Sequence, residues 1–235
     1  MISTARSLGG LTSTSEPIRF EVSSAEELGS RLSPPIADGS IDIITAATAA
    51  HWFDMDGFWP RAAEVLKPGG TVACWTGSTM RVHPSVPNAA DIQVAVDKMF
   101  FDHLEAYTVA GNRIGRDLYA NLPLPWTINK PVPEFDESTF FRKEWNKGGD
   151  LPEGEEFFMG DRTVDLDQLE KALSTASPVT RWREAHPEAV GTEQDILRLL
   201  RRQIEKLLRE AGVDPGTEIV KGGFAGVLLM IKKQA

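Results

Sequence analysis

A single cysteine stands in this chain of 235 residues, so no internal disulfide can form. Cys74 lies inside the apolar run T-V-A-C-W, where its expected role is a small core side chain and not a nucleophile. Long apolar runs are missing as well. Nothing approaches the length of a membrane-spanning helix, and the N-terminus lacks a signal peptide's apolar core, so the expectation is a soluble cytoplasmic protein without a membrane partner. Positive charge is in deficit: 25 Lys and Arg against 34 Asp and Glu give a net charge of −9 and a pI near 5.0. That balance argues against a phosphate-binding face, and hence against a nucleic-acid partner. The four histidines, His51, His83, His103 and His186, show no i, i+4 pairing, so no metal site is expected. A G-x-S-x-G nucleophile elbow is also absent.

What the chain does contain centres on Ser40–Trp75. Ile41–Thr45 is a short β-branched run of the kind found in a strand covered on both faces. Asp54 or Asp56 can cap the helix that follows, and Phe58, Ala62 and Leu66 fall four apart along it. Pro60 predicts a late start or a kink. Lys67-Pro68-Gly69-Gly70 is expected to stop the helix, and Thr71–Trp75 to open a second buried strand. Strand, helix and strand at this spacing make a βαβ unit with a right-handed crossover. Ala225–Ile231 is expected beside these two strands and antiparallel to them.

D-I-I in the first strand, A-H-W-F-D after it and L-K-P-G-G before the second resemble S-adenosylmethionine-dependent methyltransferases of the Rossmann-like class. The wording is most similar to the type 11 and trans-aconitate methyltransferase branch. M-I-S-T-A-R at the start resembles the family's helix after its second strand, and Ser23-Ser24-Ala25-Glu26-Glu27-Leu28 its post-strand A-E-E-L. Those two alignments would put the glycine-rich loop and the acid of the second strand before Met1. Gly9-Gly10 does not replace the loop, since it lacks the third glycine. The implied fold is α/β, a Rossmann-like methyltransferase sheet lacking the first two strands and the glycine-rich loop, with an insertion after the fifth strand. The implied domain is a single partial one over residues 1–235.

The resemblance implies S-adenosyl-L-methionine as cofactor and a small-molecule carboxylate or hydroxyl as acceptor. It implies a cofactor pocket of Ser24, Ala25, Glu26, Ala47, Thr48 and Trp52, with His51 near the transfer site. Ligands of open α/β sheets do gather beyond the carboxyl ends of the strands, where His51 and Trp52 fall. The competing reading is local: Trp52 and Phe53 staple the helix, His51 is a capped loop residue, and Ser23–Leu28 is a serine-capped helix start. Without its glycine loop the chain is expected to bind the cofactor poorly and to expose a sheet edge open to self-association. A catalytically inert binding or association protein of the same fold is the alternative function.

The remaining elements follow from periodicity. Ile18–Val22 alternates like a half-buried strand, and Asp91–Tyr107 reads as an amphipathic helix. Residues 108–150, rich in proline and aromatics, are either a substrate cover or a surface elaboration with its own core. Phe157–Val164 is an expected strand, with Asp165 or Asp167 capping the helix after it. Thr192 and Asp195 approximate a capping box for a helix with Ile196, Leu200, Ile204, Leu207 and Ala211 inward, ended by Gly212.

Overall fold

A computed structural model describes residues 2–149 and 151–235. Met1 and Asp150, which begin the expected partial domain and end the expected cover, lie outside the described residues. In chain order the elements are α1 (Ile2–Leu8), β1 (Ile41–Ala47), α2 (Met55–Val65), β2 (Leu66–Val82), α3 (Ala89–Lys98), α4 (Ala110–Arg116), β3 (Phe141–Trp145), β4 (Phe158–Asp165), α5 (Leu166–Leu173), α6 (Ser177–Ala185), α7 (Ile196–Glu210) and β5 (Ile219–Lys232). The sheet runs β1-β2-β5-β3, and β4 pairs antiparallel with β5. No helix among the described residues is long and apolar enough to cross a membrane.

The predicted βαβ unit is present. Ser40 N donates to Val65 O at 2.9 Å, and Lys67 reaches Asp42 at 2.7 Å, so β1 and β2 start side by side and run parallel. Lys233 N donates to Gly70 O and His83 N to Lys221 O, which fixes β5 antiparallel to β2 as expected. Asp54 caps α2 by accepting from Asp56 N. Phe53, one residue before the cap, packs on Phe58 at 5.2 Å between ring centroids, a hydrophobic staple. Pro60 sits inside α2 without ending it.

Several expectations are corrected. Lys67–Gly70 is no turn: Leu66 is already extended and β2 runs on through Gly69, whose φ of +75° a glycine tolerates. β1 is not covered on both faces. It is the terminal strand of the sheet, and Ile43 is 55% exposed. Ile18–Val22 is not a strand. Pro17 lacks an N–H, Ile18 N donates back to Gly10 O, and the side chain of Arg6 takes the Phe20 carbonyl, so no ladder forms. The helix expected over Asp91–Tyr107 is α3 followed by a π-turn at Met99–His103 and a 3₁₀ turn at Glu105–Tyr107. Asp165 caps α5, and Asp195 alone caps α7, whose buried face carries Leu208 where Leu207 was expected.

The chain divides into two compact units, residues 2–74, 122–141 and 229–235 in the first, and 75–121 with 142–228 in the second. In the first, Trp59 is buried against Phe58 and Phe135, and its indole N–H donates to Pro123 O at 2.9 Å. Much of the proline- and aromatic-rich stretch therefore packs here, with Leu122, Ile128, Val132 and Phe135 buried. In the second, Ile92, Val96, Leu169, Leu197, Leu200 and Ile204 of α3, α5 and α7 meet Met80 and Val82 of β2.

Candidate functional site

The first unit holds an open groove of about 480 Å³, within the roughly 300–1,000 Å³ typical of small-molecule sites. One wall is β1, through Ile41, Ile43 and Thr45. The other is the irregular chain from Arg19 to Ile36, including Ser24 and Ala25, and Phe53 and Phe58 close the floor. That irregular wall is held by α2. Arg61 Nε donates to Glu27 O at 3.2 Å, Nη2 to Ile36 O at 3.1 Å and Nη1 to Asp38 at 2.8 Å. Replacing Arg61 by Met leaves two carbonyls without their donor and should cost roughly 1–3 kcal/mol. Hydrogen exchange across residues 27–38 should accelerate with it; unchanged protection there would contradict the anchoring role.

Of the sequence-derived site residues, Ser24 and Ala25 line the groove. Glu26 lies beside them but is engaged, one oxygen accepting Asp54 N at 2.8 Å. Backbone hydrogen bonds hold its carboxyl below the usual range, so it is an anion spent on the start of α2. Ala47 and Thr48 stand at the carboxyl end of β1, and Thr48 has a φ of +49°, a strained conformation for a β-branched residue. Strain of this kind concentrates where backbone must face a ligand. His51 and Trp52 follow in a 3₁₀ turn with ring centroids 4.8 Å apart. Burial pushes the His51 imidazole down, which keeps it neutral near pH 7. Trp52 is 50% exposed, so the staple falls to Phe53 alone. None of Glu26, Ala47, Thr48, His51 and Trp52 lines the groove itself.

Sequence reasoning missed Arg19, Ile36, Ile41, Ile43 and Phe53 as groove residues. The first two come from chain without regular structure, which leaves no periodic signal; Ile36 is held by the distant Arg61 and Arg19 by Glu21. Cys74 is inert, its thiol pushed up to about 12 by burial in β2. No group of three or more His, Cys, Asp or Glu among the described residues is placed to hold a metal ion.

The groove's lining is apolar along β1, Phe53 and Phe58. Its two serines bond within their own turn: Ser23 Oγ donates to Ser24 O and accepts from Gly29 N, and Ser24 Oγ accepts from Glu27 N. The amino-acid end of S-adenosylmethionine is not matched: among the described residues no strand-to-helix glycine loop precedes β1. Arg19, the groove's cation, pairs with Glu21 at 3.2 Å, and the other oxygen of Glu21 is taken by Arg6.

The parallel β1–α2–β2 unit, with a groove along β1, defines an α/β protein of the Rossmann-like class. Residues 1–74, under a third of the chain, match the methyltransferase domain family. A protein of Dictyostelium discoideum described as a "putative methyltransferase" is 28% identical over 85 residues, 36% of this chain and 28% of that one. The match thus spans less than a third of that relative. A solved structure from Anaeromyxobacter dehalogenans, described as a "putative type II methyltransferase", shares the fold with a TM-score of 0.53 at 22% identity, over 92% of this chain and 71% of the other.

Proposed function

We propose that this chain serves S-adenosylmethionine-dependent methyl transfer to a carboxylate or hydroxyl of a small molecule, and that these residues alone hold the donor weakly. The observation that supports this is the groove of about 480 Å³ inside the family-matched segment, along β1 and the Ser23–Gly29 turn. When bound, the donor supplies an already activated methyl group, so the protein's part is alignment and exclusion of water. His51, neutral through burial, is the base that takes the proton of a hydroxyl acceptor, a carboxylate acceptor having none to lose, and the half-exposed Trp52 offers an apolar face beside it. Weak holding follows from the unmatched amino-acid end. Each hydrogen bond to a charged group is worth roughly 1.5–3 kcal/mol, so losing several takes a micromolar ligand to about millimolar.

The test is a titration of S-adenosylhomocysteine and of adenosine into ¹⁵N-labelled protein. Both should shift Ser24, Ala25, Thr45 and Phe53 with similar, about millimolar affinity, and 1 mM ligand should stabilise the fold by only ~0.4 kcal/mol. Micromolar binding would overturn the weak-donor reading, and no shift at these residues would remove the donor site. A second reading, association without catalysis, is favoured by the terminal position of β1 and the exposure of Ile43. It is the one left standing if nothing binds and sedimentation shows a dimer that Ile43→Lys dissociates.

A further inference from the structure

The second unit carries a separate cavity of about 370 Å³, among α3, α6, α7 and the π-turn at Met99–His103. Its apolar part includes Met99, Ile196, Leu199 and Leu200. Beside it stand three aromatic rings in a fixed arrangement. Trp182 and His186 are stacked, centroids 4.4 Å apart and planes 17° from parallel, and Tyr107 meets His186 edge-on at 5.9 Å. His186 Nδ1 donates to the Trp182 carbonyl at 2.9 Å, which sets the tautomer, and Arg181 holds the Tyr107 carbonyl at 2.7 Å. The platform is therefore organised without a ligand.

The polar lining is of one kind. Lys98, His103 and Gln203 line the cavity, and none of their side chains makes a hydrogen bond or ion pair with another described residue. No carboxylate lines it, although the chain carries nine more acids than bases. The neighbouring Asp97 is occupied by Gln93 and Arg81. The π-turn is a second, independent sign, since an extra residue in a helix turn is costly and recurs at functional sites. Here it ends on His103.

We propose that this cavity binds a small planar aromatic acid, its ring against the Tyr107–Trp182–His186 platform and its carboxylate on Lys98, with His103 and Gln203 as further donors. A flat ring gains from stacking on such a platform, and an ammonium without a protein partner gains from a carboxylate more than a paired one would. The site is independent of the groove along β1 and of the methyl-transfer reading.

The experiment titrates 2-naphthoate, and separately neutral 2-naphthylmethanol, into the ¹⁵N-labelled full chain. Naphthoate is expected to shift residues 98–107, 182–186 and 196–203, and to bind roughly tenfold more tightly than the alcohol. Lys98→Met, at an exposed position that carries no contact to lose, should remove that tenfold preference while leaving alcohol binding unchanged. Equal affinity for acid and alcohol, shifts centred elsewhere, or a Lys98→Met protein that keeps the preference would each overturn the assignment. So would the absence of shifts up to about 5 mM naphthoate, well above the range expected of a preformed site.

Discussion

Trp59→Ala is expected to lower stability by about 3–5 kcal/mol, the range for emptying a large aromatic site in a packed core. Trp59 is 1% exposed, edge-on to Phe58 at 5.1 Å and to Phe135 at 5.2 Å, and its indole N–H donates to Pro123 O at 2.9 Å. Those contacts tie α2 to the 122–141 stretch, so the substitution removes packing and also strands a carbonyl. Trp59→Phe separates the two parts. It keeps most of the ring contact and loses the hydrogen bond, so its cost should be about 1–2 kcal/mol. Denaturant midpoints followed by a probe in the first unit measure both. An alanine variant within about 1 kcal/mol of the parent would show that the 122–141 stretch is not held by this residue.

The βαβ unit was legible because its signals are local and redundant. The β-branched run at Ile41, the Asp54 cap and the four-residue spacing of Phe58 and Ala62 each act within one or two turns, and each agrees with the others. The antiparallel β5 was legible for a different reason, its uninterrupted apolar run. What sequence could not show is where a strand stands in the sheet. Ile41–Thr45 has the composition of a buried strand, yet it is the end of the order β1-β2-β5-β3, and composition carries no information about its neighbours. Ile18–Val22 failed similarly. Alternation marks a strand only if a ladder exists to receive it, and here Arg6 takes the Phe20 carbonyl. The part of the groove made by Leu28, Gly29, Leu32 and Ile36 was beyond reach because Arg61 positions residues 27–38 through three contacts that no spacing announces. The aromatic cavity was hidden by a different cause. A π-turn shifts His103 off the 3.6-residue period, and Trp182 and His186 come from α6 and its C-cap, more than seventy residues along the chain from Tyr107.

Asp195→Ala should be as damaging as the loss of Trp59 at neutral pH, and the damage should fade in acid. Asp195 is 1% exposed at the start of α7. It accepts from Arg183 Nε at 2.9 Å, Arg183 Nη2 at 3.1 Å and Leu197 N at 3.0 Å. Burial works against the charged carboxylate, but the Arg183 fork, the Leu197 amide and the nearby positive charge together hold the carboxyl below its ordinary value. Removing one partner of a buried pair leaves the other charge without compensation, at a cost of about 3–5 kcal/mol. Because the folded-state pKa is depressed, the carboxylate's contribution is complete above the unfolded value near ~4 and is lost as pH falls below it. The gap between parent and variant should therefore be constant from pH 8 to about 5 and narrow steadily below about 4. Arg183→Met should reproduce most of the loss, and the double variant should cost little more than either single one, since both remove the same contact. Urea midpoints for the four proteins at pH 7 and pH 3 decide it. A gap of equal size at both pH values would mean that Asp195 matters only as a neutral helix cap, and additive single costs would mean that the pair does not act as a unit.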